Sequence, residues 1–270
     1  MSQVVEERDG HVGVVRLTAV ERLNAFTPED TADLRRIFTR MGEDEQIRCI
    51  VITGTGRAFC SGAEVSGLAN RASAGVATDT SPEQRGKDTG FTPRRLGIYK
   101  PVVAAVNGVC AGAGLHFLAD ADIVIASESA TFLDTHTDIG QVTALEPILF
   151  AKCGIPMNAV LRMVILGRAD RMSAAAALRS GMVSEVLPDA KLMPRAMEIG
   201  QIASSVSPTA VQASIRAIWS SMNLFLTDAY NAGYEAIGNH RAHPDAYEGA
   251  RAFVEKRKPV WATPGIDRSE

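Results

Sequence analysis

The stretch "KPVVAAVNGVCAGAGLHFLADADIVIASESATFLDTHTDIG", residues 100–140, carries the pattern that decides the fold. Its opening, Lys100–Gly108, is a continuous apolar run closed by Asn-Gly, which reads as a buried strand. Small residues follow at 111–114 and lead into Leu115–Asp122, read as a turn entering a short helix. Ile123–Phe132 reads as strand and turn again. A similar start lies upstream: "IRCIVITGTG", residues 47–56, is a short apolar run ending in glycines and reads as a second buried strand.

Working outward, His11–Val20 alternates apolar residues after an Asp-Gly turn and reads as a strand. Thr27 is a good helix cap. Pro28 stands at the first helical position with acids behind it, so 27–44 reads as a helix. From residue 156 onward strand patterns vanish. Residues 156–167, 173–181, 190–206 and 208–222 all show helical spacing. Strands alternating with helices, then a mainly helical tail, argue an α/β fold with a C-terminal helical part. The division is expected near residue 200, with a core over 1–200 and a helical region over 201–270. Residues 66–95 are the least regular, rich in Gly, Ser, Thr and charge. A loop of that length is either a lid over a site or a mobile insertion.

Composition narrows the function classes. At 270 residues and 46% hydrophobic content, the chain can bury one large core. A net charge of −3 gives no pull toward nucleic acid or anionic membrane. Cys49, Cys60, Cys110 and Cys153 form no C-x-x-C pair and sit among apolar or small residues. Buried, reduced thiols of a cytoplasmic protein are the expectation. The polar, acidic N-terminus does not read as a signal peptide, and no apolar run reaches the ~18 residues of a membrane span.

Two glycine-bearing turns follow buried strands: "ITGTGRAFCSGAEV", residues 52–65, and "VNGVCAGAGLHF", residues 106–117. Small residues let a backbone approach a ligand and aim N–H groups at it. Two such turns facing one another would make an oxyanion hole for a thioester or other carbonyl. The alternative is that the glycines simply permit tight packing. Neither turn fits a phosphate loop or a dinucleotide fingerprint.

Taken together, "ERLNAFTPED", "GRAFCSGAEV", "KPVVAAVNGVCAGAG", "DADIVIASESATF", "LGRADRMSAAAALRSGMVSEVLP" and "EGARAFVEKRKPVW" resemble the enoyl-CoA hydratase/isomerase family, the crotonase superfamily. The pieces occur in family order from about residue 10 to residue 262. The resemblance implies a crotonase-like spiral of β-β-α repeats and a C-terminal helical region that makes homotrimers and often hexamers. It implies an acyl-CoA thioester as ligand, with no cofactor beyond the CoA of the substrate. It assigns the oxyanion hole to the backbone N–H groups of Ala63 and Ala113. Alanine at 113 is expected to crowd the oxygen or shift the turn if that position needs positive φ. The CoA path would be lined by the "ERLNA" segment, including Ala25, by Ser61, Gly62, Glu64 and Val65, and by Gly114 at the second turn. Arg22 is a candidate for a CoA phosphate, as are Lys256 and Lys258 of a neighbouring subunit. The alternative for these cations is a solvated surface.

One departure bears on the chemistry. Typical hydratases of this family carry a glutamate two residues after the glycine turn and a second four residues after the phenylalanine of the next segment. Here those positions are His116 and His136. The usual proline-glycine segment is also replaced, by "GQVTALEP". Imidazole is a good base near neutral pH and imidazolium a good acid. The pair could hydrate or dehydrate an unusual acyl chain, or hydrolyse a thioester or the C–C bond of a β-ketoacyl-CoA. The competing reading is an acyl-CoA-binding protein that kept the fold and lost the chemistry. Asp134, Asp138 and Glu146 flank His136 and are candidates to orient or charge it. Ala144 replaces the aspartate of some relatives, which argues against dehalogenase-type chemistry. His240 and His243 read as helix-end surface residues, and no ligand spacing supports a metal site.

Overall fold

The computed structural model describes residues 3–64 and 90–262. Among the described residues, ten strands form two sheets: β1 (Val4–Asp9), β2 (Val12–Leu17), β3 (Cys49–Gly54), β4 (Ala58–Cys60), β5 (Val102–Val106), β6 (Val109–Ala111), β7 (Ile123–Ser127), β8 (Thr131–Leu133), β9 (Met172–Ser173) and β10 (Glu185–Leu187). The larger sheet has the order β1-β2-β3-β5-β7-β10 and the smaller β4-β6-β8-β9. Both are parallel within, with antiparallel β1 and β9 at one edge of each. Successive strands therefore alternate between sheets: β3 then β4, β5 then β6, β7 then β8. That alternation is the expected spiral of β-β-α repeats.

The helices of the described residues are α1 (Pro28–Glu43), α2 (Leu115–Ala119), α3 (Leu145–Lys152), α4 (Met157–Leu166), α5 (Ala174–Ser180), α6 (Asp189–Ser205), α7 (Pro208–Ser221), α8 (Leu226–His240) and α9 (Asp245–Glu255). The α1 start is a capping box. Thr27 Oγ1 accepts from the Asp30 N–H at 3.2 Å, and Asp30 Oδ2 accepts from the Thr27 N–H at 3.0 Å. Its face of Leu34, Ile37, Phe38 and Met41 is buried. The residues of β3 divide two cores. Ile50 and Ile52 join the main one with Phe59, Leu115, Phe117 and Phe132; Cys49 and Val51 pack with Val103, Ile125, Leu192 and Ala196 beneath α6.

Several expectations need correction. A strand precedes the one read at 11–20: β1 is an edge, exposed from Val5 to Asp9, so its polarity suits it. Strands do occur beyond residue 156, but β9 and β10 have only two and three residues. The division expected at residue 200 falls inside α6, which packs on the large sheet. Cys153 is exposed, whereas Cys49, Cys60 and Cys110 are buried. Most of the 66–95 segment lies outside the described residues. Its end is built into the body: Phe91 and Thr92 are buried, and Arg94 bonds Asp122 at 2.7 Å while stacking on Trp219 of α7. No helix among the described residues is long and apolar enough to cross a membrane. The C-terminal helices keep large apolar side chains exposed, among them Phe225, Tyr230, Tyr234, Ile237 and Phe253.

Candidate active site

Chain segments 19–26, 58–64 and 109–116 meet at one place. Leu23 and Asn24 both adopt left-handed backbone, at φ 55° and 57°, which for non-glycine residues stores strain. The surrounding bonds hold them there. Asn24 Nδ2 donates to the Thr55 and Ala58 carbonyls at 3.0 and 2.7 Å, and the Ser61 N–H donates to Leu23 O at 3.0 Å. Next, the Phe26 N–H donates to Gly62 O and the Glu64 N–H to Phe26 O. A parallel bridge of that kind uses both neighbours of Ala63. It turns Ala63's own N–H to the opposite side of the strand.

The second turn supplies a matching group. Ala113 is the second residue of the one-turn helix Gly112–Gly114, where a backbone N–H has no intrahelical acceptor. The two turns touch through glycine. Gly62 has φ +106°, and a Cβ there would stand 3.1 Å from Ala111 O and 3.2 Å from Ala113 N. Gly114 is pressed on β4, where a Cβ would meet Cys60 O at 2.6 Å. The positive φ of the second turn, +51°, belongs to Gly112, and Ala113 is not among the left-handed residues. The strain expected of alanine at 113 therefore does not arise. Two peptide N–H groups that find no acceptor among the described residues, held on turns that touch, can polarise one carbonyl oxygen.

His136 lies beside this turn: a Cβ on Gly112 would be 3.0 Å from Thr135 Oγ1 and 3.9 Å from His136 Cε1. Asp134 holds the ring. Its Oδ1 accepts from His136 Nδ1 at 2.9 Å and from the His136 N–H at 2.8 Å, while Oδ2 accepts from Thr143 Oγ1 at 2.7 Å. Burial alone would raise the Asp134 carboxyl. The bonds from His136 and Thr143 outweigh it and hold it below its ordinary range. The same bond raises the His136 pKa against the opposing effect of burial. An ionised carboxylate only accepts, so Nδ1 carries a proton, and in the neutral ring Nε2 is the nitrogen with the lone pair. The His136 side chain is 25% exposed, which leaves it open to a ligand.

His116 is built differently. It is buried in α2 with Phe91 packed edge-on, ring centroids 5.3 Å apart. Burial, then the charges of Arg95 and His136, push its pKa down to about 4, so the ring is neutral. Its Nε2 lies 3.1 Å from Oε1 of Glu146 on α3, a side chain only 3% exposed. An N–H on that nitrogen does not aim at the oxygen, and Oε1 has no aligned hydrogen-bond partner among the described residues. Burial raises the Glu146 carboxyl above its usual range. Of the acids expected to flank His136, Asp134 holds it, Glu146 abuts the other histidine, and Asp138 instead accepts from the Arg168 N–H at 2.9 Å.

The pattern of the enoyl-CoA hydratase/isomerase family matches the chain over residues 7–264. The chain belongs to that family. It is 37% identical to an enoyl-CoA hydratase/isomerase from Mycobacterium paratuberculosis; the two structures superpose with a TM-score of 0.88 over 98% of this chain and 100% of the other. It is 30% identical to (E)-benzylidenesuccinyl-CoA hydratase of Thauera aromatica, over 96% of this chain and 98% of that one. It is 31% identical to carnitinyl-CoA dehydratase of Shigella flexneri, over 89% and 91%.

The remaining family positions are placed unequally. Arg22 is spoken for: it pairs with Asp30 and donates through Nε to Ala25 O at 2.6 Å. Ser61 Oγ donates to Arg22 O at 3.2 Å, and Glu64 is exposed beyond the bridge. Val65 lies outside the described residues. Lys256 and Lys258 are exposed just past α9, and no described contact joins them to the two turns. The Asp134 pairing could be read from a spacing of two residues. The His116–Glu146 pairing joins residues 30 positions apart on different helices, and no local pattern announces it.

Proposed function

We propose that the protein is an acyl-CoA hydratase or dehydratase in which imidazoles replace the family's glutamates. The thioester oxygen binds between the Ala63 and Ala113 N–H groups, which stabilise the enolate formed during addition or loss of water. His136 handles the water. As a base its Nε2 takes the proton from the attacking oxygen, and Asp134 steadies the imidazolium; in dehydration the same proton returns to the leaving hydroxyl. His116, neutral and buried, serves the proton at the carbon next to the thioester. The observation that carries this reading is the Asp134-held His136 beside the Gly112 turn. The named hydratase and dehydratase relatives support a substrate that gains or loses water.

The chemistry needs no cofactor beyond the CoA of the substrate. Ala25, Ser61, Gly62, Glu64, Val65 and Gly114 flank the CoA path in this proposal. Arg22 reaches phosphate only by giving up part of its Asp30 pairing. Lys256 and Lys258 serve a neighbouring subunit, and the exposed apolar side chains of α8 and α9 supply the surface for a homotrimer or hexamer. A panel of enoyl-, hydroxyacyl- and β-ketoacyl-CoAs tests the proposal, reading hydration by enoyl absorbance and hydrolysis by free thiol. Turnover of an enoyl- or hydroxyacyl-CoA that is lost in His136→Ala and His116→Ala is expected. Full activity in those variants overturns the histidine roles. Release of free CoA instead marks a hydrolase. Binding without turnover by the wild type marks a protein that kept the pocket and lost the reaction.

A further inference from the structure

We propose that Glu146 is the terminal proton acceptor of the site, reached through His116. This deepens the reading above, since it gives a task to a residue outside the family's two acid positions. The argument begins with burial. Glu146 is 3% exposed, yet Oε1 has no aligned partner among the described residues. A buried carboxyl oxygen left so is costly and calls for an explanation. The nearest group is Nε2 of His116 at 3.1 Å, and no other described residue bonds that ring. The ring must turn for an N–H on Nε2 to meet Oε1, and catalytic hydrogen bonds that are poorly aligned without a ligand tighten when one completes the site.

The two groups have opposite aversions. His116 resists becoming a cation, because it is buried with Arg95 and His136 nearby. Glu146 resists being an anion, chiefly because it is buried; its own backbone N–H and His136 oppose that effect, while Asp134 and Asp120 add to it. Cys110, on β6, also feels the Glu146 charge. One concerted transfer satisfies both. A proton arriving at Nδ1 of His116 is matched by departure of the proton on Nε2 to Oε1. The ring begins and ends neutral and only its tautomer changes, while the carboxylate becomes a carboxylic acid. No imidazolium is formed in the buried space, and the reverse transfer returns the proton. His116 is thus a base when Glu146 is ionised and a donor when Glu146 is protonated.

The test needs no substrate. In protein labelled with 15N-histidine, His116 should stay neutral between pH 5 and 9, yet its two nitrogens should exchange character as Glu146 titrates. In Glu146→Gln, whose amide keeps the size but takes up no proton, the tautomer should be fixed. A wild-type tautomer that does not change over that range, or a change that persists in Glu146→Gln, overturns the proposal. On an accepted substrate, Glu146→Gln should lower kcat ~100-fold with KM little changed and erase one limb of the pH profile. If His116→Ala abolishes turnover while Glu146→Gln leaves kcat and the pH profile intact, the relay is wrong and the histidine mechanism stands. If both variants turn over normally, the relay falls together with the histidine role.

Discussion

Gly114→Ala separates the packing of the two turns from their chemistry. Gly114 has an ordinary helical backbone, φ −63°, so alanine brings no conformational strain. It brings a collision instead. The new Cβ would stand 2.6 Å from Cys60 O and 3.0 Å from Cys60 Cβ, where ordinary contact begins near 3.4 Å. One turn must retreat by about 0.8 Å, and the struck atom is backbone, fixed in β4. Overpacking of this kind costs ~1–3 kcal/mol, which for a chain this size lowers Tm by roughly 2–5 °C. The retreat also changes the spacing of the Ala63 and Ala113 N–H groups by a distance comparable with the whole tolerance of a hydrogen bond. Loss of one such donor lowers kcat by ~100- to 1000-fold. Differential scanning calorimetry and steady-state kinetics on an accepted acyl-CoA read the two effects. Unchanged Tm and kcat would refute the close approach itself. A lowered Tm with intact kcat would refute the oxyanion-hole assignment.

Asp134→Asn keeps the shape beside His136 but removes the negative charge that steadies its imidazolium and brings in an amide donor that can favour the wrong tautomer, so kcat should fall by ~100-fold or more with substrate affinity little changed. His116 titrates near 4 in the fold and near 6.5 in an unfolded chain, so the unfolded state takes its proton first as pH falls. Its contribution is therefore complete above pH ~6.5 and lost as pH drops toward 4, a swing of ~3 kcal/mol; urea unfolding at pH 7 and 4.5 should show a smaller difference for His116→Gln than for the wild type. Asn24→Ala removes the side-chain donor to the part-buried Thr55 carbonyl and the buried Ala58 carbonyl and should cost ~1–3 kcal/mol by the same unfolding assay, with a loss of turnover as the 19–26 segment loosens.

The spiral was legible in the sequence wherever a strand was long and buried on both faces, as at Val102–Val106 and Cys49–Gly54. The strands of the smaller sheet escaped notice. Ala58–Cys60, Val109–Ala111 and Thr131–Leu133 have three residues each, too few to show a period, and the first two lie beside glycine turns that mask them. The edge strand Val4–Asp9 hid behind its charges. At the site, family order led to Ala63, Ala113, His116 and His136, and the two-residue spacing made Asp134 a candidate. Glu146 does add its charge to His136, but its contact with His116 was not legible, because it is set by where α3 packs, a tertiary fact without a local cue. The strain assigned to Ala113 was misplaced for a similar reason: which residue of a Gly-Ala-Gly turn takes positive φ depends on the neighbouring strand.

The groups that would polarise the thioester are peptide N–H groups, and no side-chain substitution deletes a peptide. Natural variation can reach them only indirectly, through Gly62, Gly112 and Gly114, whose missing side chains let the turns meet. A saturation library of this region should therefore show an inverted map, with Ala63 and Ala113 permissive to small residues and the three glycines nearly invariant. Meanwhile the titratable side chains around that fixed centre are free to be exchanged. An acidic pair can give way to imidazoles, with a carboxyl recruited from another helix, while the binding of the thioester oxygen persists through every intermediate sequence.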